Sequence, residues 1–190
     1  MSSQKVNART IVLVLMIVAA MAFRLLSYEF KFLSNFTPVG AIALFGGAYF
    51  SDKWKAYVAV LLSLFLSDIL INYLYTSKLV LWYGDSAWVY LTFVIMIFIG
   101  TLIKKVNVAN VAIASLVSVC IHWLMIDMPW LYGSLYPHTF AGYGQSLIAA
   151  IPFERNMLLG DILFCSLLFG GFEFAKNRYT ILRTNKELAI

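Results

Sequence analysis

Polar positions along this chain are rare and clustered, and the apolar stretches between them have the length of helices built for a membrane. Six such stretches stand out, at about 10–28, 38–50, 56–75, 87–103, 108–132 and 154–175, and each is read as a helix. A membrane-crossing helix needs about 20 apolar residues. The second stretch falls short: about 15 residues at about 1.5 Å each give roughly 22 Å, against a hydrocarbon core of roughly 30 Å. It is NFTPVGAIALFGGAYF, Asn35 to Phe50, and the rest of the chain is organised around it. Asn35 and Thr37 are helix-capping residue types, and Pro38 suits a first helical turn because its missing N–H has no helical partner there. Gly40, Ala43 and Gly47 recur at three- and four-residue spacing, which gives a face that another backbone can approach closely.

The connections follow from the same pattern. Residues 10–28 compete with a signal-peptide reading, with Ala20-Met21-Ala22 as the cleavage site, and are taken as a first transmembrane helix. SDKWK (Ser51 to Lys55) is a tight turn, and Asp85 or Ser86 caps the fourth helix. GSLYPHTFAGYGQS (Gly133 to Ser146) reads as a glycine- and aromatic-rich loop, followed by an apolar piece, Leu147 to Phe153, too short to cross. The expected architecture is all-α, a polytopic membrane protein of six transmembrane helices with a short second helix, in one integral domain over 1–190.

Composition sharpens this. With 62% apolar residues, 12% charged and a mean hydropathy of +0.85, the chain is an integral membrane protein. Its net charge of +5 does not imply nucleic acid, because the cations are scattered between apolar runs. In a six-span topology Lys5, Arg9, Lys53, Lys55, Lys104, Lys105, Lys176, Arg178, Arg183 and Lys186 fall on the side of the termini, against Arg24, Lys31, Lys78 and Arg155 opposite. That bias puts both termini in the cytoplasm. A five-span alternative with the N-terminus outside scores the same, so the rule alone leaves the short second helix undecided. Cys120 and Cys165 lie inside apolar runs without metal-ligand spacing and are read as core thiols.

At NFTPVGAIALFGGAYF, and again at YPHTFAGYGQSLIAAIPFERNMLLGDILFCSLLFG (Tyr136 to Gly170), the chain resembles an uncharacterised family of small bacterial six-helix membrane proteins. Arg24 and Ser67-Asp68 lie where that family has similar residues. The family in turn resembles, more remotely, the substrate-binding S components of energy-coupling factor vitamin transporters. The resemblance implies an S-component-like fold in the bacterial inner membrane and a vitamin- or cofactor-like substrate. The stretch from His122-Trp123 to Asp127-Met128-Pro129-Trp130 departs from the family pattern. So does the alanine-x-x-x-alanine docking signature of S components, since Ala19 is followed four residues later by Phe23.

Ionisable groups inside hydrocarbon are costly and mark function by default. Asp68, Asn72 and Tyr75 form one stripe, and Ser115, Ser118 and His122 another, with Asp127 a turn further out on a different face. Glu154 and Asp161 share a face of the sixth helix. The expected substrate-binding set is Arg24, Asn35, Asp68, Asn72, His122, Asp127, Arg155 and Asp161, converging on an outward-facing chamber covered by Tyr136 to Gln145. The bland reading of Asp68 or Asp161 is a structural ion pair with Arg24 or Arg155, and of His122 a hydrogen-bonded core histidine. Leu159-Gly160-Asp161 matches part of the intramembrane aspartyl-protease motif, but position 158 is Leu and no partner motif exists, so no enzyme is expected. No catalytic, nucleotide or metal motif appears. The function expected is small-molecule binding or transport, with lipid as the constant partner. The alternative is an accessory subunit of a larger membrane complex, docked through the small-residue face of the second helix.

Overall fold

A computed structural model describes residues 8–30 and 34–184. Among them are six principal helices and no strand: α1 (Ala8–Leu25, its last turn tightened to 3-10 at Phe23–Leu25), α2 (Val39–Tyr49), α3 (Lys53–Thr76), α4 (Ser86–Thr101), α5 (Val108–Ile126) and α6 (Phe140–Arg178). Four of them, α1, α3, α5 and α6, are long and apolar enough to cross a membrane, while α2 and α4 are shorter apolar helices.

The helices run alternately up and down. Arg9, at the start of α1, reaches the carbonyl of Tyr49 at the end of α2 (3.0 Å) and that of Leu182 (2.5 Å) beyond α6. At the opposite end, Tyr28 bonds the Leu74 carbonyl near the end of α3 (3.2 Å), and Trp88 at the start of α4 bonds the Met125 carbonyl at the end of α5. The first end, which also holds Lys53, Lys104 and Lys176, is called here the inner end.

α2 is the axis. Every residue from Val39 to Gly47 is buried, and the helix packs on α1, α3, α4, α5 and α6. The small residues allow this. A Cβ on Gly47 would stand 2.2 Å from the Ile97 carbonyl, and one on Gly100 would stand 2.5 Å from that of Leu44, so α2 and α4 touch backbone to backbone. Gly46 makes room for Val60 of α3 in the same way. At about 1.5 Å per residue α2 spans roughly 17 Å, so it rises only half-way from the inner end and stops inside the bundle.

Three expectations change. Neither Asn35 nor Thr37 caps α2: Pro38 holds the N-cap position without a side-chain bond, Asn35 has a left-handed φ of 63°, and its carbonyl takes the Thr37 N–H at 2.9 Å. The sixth helix starts at Phe140 instead of 154, and the segment read as a loop with a short apolar piece is its first part. Thr139 caps it by accepting the Gly142 N–H at 3.2 Å, and Gly142 is required because a Cβ there would fall 1.9 Å from the Pro137 carbonyl. Pro152 lies within it, as apolar helices in a membrane tolerate. Finally, α5 ends at Ile126 and a separate 3-10 turn covers Pro129–Tyr132. Lys5, Lys31 and Lys186 lie outside the described residues.

Candidate functional site

Hydrogen bonds sort five of the eight predicted site residues, Arg24, Asp68, His122, Asp127 and Asp161, into two networks. The first joins α1, α3 and α4. Arg24 donates to Asp68 Oδ1 at 2.6 Å and to Ser67 Oγ at 2.5 Å, and the Tyr90 hydroxyl donates to Asp68 Oδ2 at 3.1 Å. Both carboxylate oxygens are thus partnered, and the charge is neutralised beside a side chain only 17% exposed. Asn72, one turn along α3, is half-buried and its carbonyl accepts from Thr76.

The second network runs along the seam between α5 and α6. Asp161, fully buried, accepts from Ser115 at 3.0 Å and lies within reach of the Ala41 backbone N–H. It is the group that meets the start of α2: a Cβ on Gly40 would fall 2.5 Å from its Oδ1, and one on Gly160 would fall 3.0 Å from the Thr37 carbonyl. So the cap that Asn35 and Thr37 do not supply comes from another helix, where a carboxyl faces the dipole-positive end of α2. Two turns further along α6, Glu154 pairs with His122 Nδ1 at 2.9 Å. Beyond that, Asp127 accepts from the Tyr132 hydroxyl at 2.6 Å and its carbonyl accepts from Ser146 at 2.6 Å. Burial pushes both the Asp127 carboxyl and the Tyr132 hydroxyl above their ordinary values.

This seam is incompletely satisfied. Among the described residues, Glu154 Oε2, Asp127 Oδ2 and Ser118 Oγ are buried without a hydrogen-bond partner, and Asp161 Oδ1 has none besides the Ala41 N–H. Buried polar atoms are rarely left so, and three in one seam give it the capacity to take protons, water or hydrogen-bond donors. No group of three or more His, Cys, Asp or Glu among the described residues is placed to hold a metal ion.

Arg155 is exposed and pairs with neither aspartate; of the ion pairs weighed for Asp68 and Asp161, the one present joins Asp68 to Arg24, and Asp161 bonds Ser115 instead. Glu154, Ser115, Ser118 and Tyr132 belong to the seam although the predicted site set omits them. The spacing of Glu154 from Asp161, seven residues on one helix, carried that signal.

A cavity of about 630 Å³ opens between α5 and α6, walled by Val111, Leu158, Cys165 and Phe169 and reaching Ser115 and Asp161. It lies toward the inner end, and the Tyr136 to Gln145 segment does not line it. A second cavity of about 370 Å³ adjoins it at Val106 and Glu173 and is lined by Arg9, Lys53, Lys104 and Lys176.

The fold and seam define a class: an all-helical apolar bundle, with four helices long enough to cross a membrane, that keeps carboxyl groups buried along one helix pair. The chain belongs to a family of unknown function (DUF6580), whose profile matches residues 4–184. No curated protein and no solved structure matches it.

Proposed function

We propose that the protein is a carrier or binding protein for a small, vitamin- or cofactor-like molecule in the bacterial inner membrane, S-component-like in size and helix number. The observation that carries this reading is the cavity between α5 and α6, whose apolar walls lead from the cationic cleft at the inner end to the Asp161 carboxyl. Such a site fits a ligand with a hydrogen-bond donor at one end, an apolar body, and an acidic group at the other. A helix that ends half-way through the bundle, with its N-terminus on a polar site, is a device of membrane carriers.

Six crossings with both termini cytoplasmic suit this arrangement. Among the described residues Arg9, Lys53, Lys55, Lys104, Lys105, Lys176, Arg178 and Arg183 belong to the inner end, against Arg24, Lys78 and Arg155 opposite. The return of Tyr49 to the level of Arg9 favours six passes over five. Single cysteines at Ser34 and Ser51, in a background lacking Cys120 and Cys165, should label differently with an impermeant thiol reagent. Equal labelling from outside would remove the second crossing.

The accessory-subunit alternative loses its docking surface, because the small-residue face of α2 is consumed against α3, α4 and α6. The deciding experiment is a thermal-shift screen of detergent-purified protein with vitamins, nucleosides and amphipathic carboxylic acids. A ligand that binds only the folded state at 100 times its dissociation constant adds about 2.7 kcal/mol of stability. The shift should vanish in Asp161→Asn. If no compound raises the wild-type melting temperature, the carrier reading is rejected.

A further inference from the structure

The seam between α5 and α6 carries more polar chemistry than holding one ligand requires. From the cavity outward it presents Asp161 with Ser115, then Ser118, then Glu154 with His122, then Asp127 with Tyr132. Ser115, Ser118 and His122 stand on successive turns of one face of α5, and Glu154 and Asp161 on the matching face of α6. The remaining neighbours add no counter-charge: α4 presents the Phe93 ring to His122, α2 presents the Gly40–Ala41 backbone to Asp161, and α6 adds the Cys165 thiol and the Tyr143 hydroxyl, which bonds the Leu124 carbonyl. Glu154 and Asp127 each keep one buried oxygen without a partner among the described residues, and so does the Ser118 hydroxyl, which is 0% exposed, while Asp161 turns its second oxygen to the Gly40–Ala41 backbone of α2.

We infer that this row is a proton path, linking the outer rim at Asp127 to the Asp161 carboxyl in the cavity and supplying the carrier with its energy source. The spacing suits it. Asp161 and Glu154 are seven residues apart, roughly 10 Å along the helix. Hydrogen-bonded steps are about 2.8 Å, so the Ser118 hydroxyl and one water on either side of it complete the line. Glu154 Oε2 and Ser118 Oγ give the outer water two polar contacts, and Ser118 Oγ with the Ser115–Asp161 pair gives the inner one the same. A proton entering at Asp127 passes to the Glu154–His122 pair. Ser118 then accepts one proton on its oxygen and releases its own toward Ser115 and Asp161. One proton is gained at the cavity for each one lost at the rim, with no change of redox state. Protonating Asp161 weakens its hold on a donor or cation in the cavity, and that couples proton entry to ligand release.

The inference rests on the carrier reading for its purpose but not for its test. Full-length protein is reconstituted in liposomes containing a pH dye, and a potassium diffusion potential set by valinomycin drives protons inward without any ligand. Wild-type vesicles should acidify faster than protein-free ones. Ser118→Ala and Glu154→Gln should fall to the protein-free rate, Ser118→Thr should keep the wild-type rate because it retains the hydroxyl, and Lys78→Gln, exposed at the outer end, should not change it. Wild-type flux no faster than protein-free vesicles, or undiminished flux through folded Ser118→Ala, overturns the path. Either result leaves ligand stabilisation in the thermal screen untouched, so the two readings fail separately.

Discussion

The two polar networks are built from the same residue types and differ in closure. At the junction of α1, α3 and α4, Asp68 has an arginine on one oxygen and a tyrosine on the other. Along α5 and α6, Glu154 and Asp127 each keep an oxygen to spare, and Asp161 has only a serine and the α2 backbone around it. A closed network holds helices in register, and its members are worth most to stability because removing one strands the others. An open network contributes less to the fold and keeps acceptors available for chemistry. Burial and charge alone do not separate the two, since Asp68 and Asp161 are both buried; the count of unmet acceptors does.

The comparison can be broken by variants whose effects should fall in order. Arg24→Ala leaves Asp68 buried with one partner, and unfolding measured in detergent should show a loss of about 3 kcal/mol, the low end for breaking a buried pair. A loss no greater than that of Asp161→Asn would erase the distinction. Gly40→Ala places a methyl 2.5 Å from Asp161 Oδ1, closer than the two can stand. Overpacking of that kind costs about 2 kcal/mol, and ligand stabilisation should disappear with it. Asp161→Asn keeps the size and the Ser115 contact, so stability should stay within about 1 kcal/mol of wild type while the ligand shift is lost.

The smallest effect is a change of slope. The folded state raises the Asp127 carboxyl above 3.8, so over the window starting there it holds a proton that the unfolded chain has released. Wild-type stability therefore declines as pH rises through that window. Melting curves of Asp127→Asn against pH should be flatter, with the variant at least as stable at neutral pH. A parallel slope would place the carboxyl in contact with solvent.

Much of the bundle was legible because apolar runs of this length have one physical outlet, and the small residues of α2 announced close packing. The start of α6 was not, since glycine-rich segments with a proline carry loop chemistry. Only the tertiary fit of Gly142 under Pro137 turns Thr139 into a cap. That displacement also hid Glu154, which looked like a helix-end residue beside Arg155. On one continuous helix the two point about 100° apart, one into the seam and one outward. Asp161 and Asp68 were visible as intramembrane acids, but which of them takes Arg24 depends on which helices touch, and no spacing along the chain encodes that.

Arg9 has a consequence for how the molecule is made. It donates to the carbonyl of Leu182, 173 residues downstream, at the same time as it closes the end of α2. During synthesis the first helix enters the bilayer long before its clasp exists, so its guanidinium must wait at the interface, snorkelling toward headgroups. The inner end then locks only once residue 182 has been made. Fusion tags or truncations that draw residue 182 away should leave a bundle that inserts normally yet never latches, a maturation defect visible as protease sensitivity confined to that end.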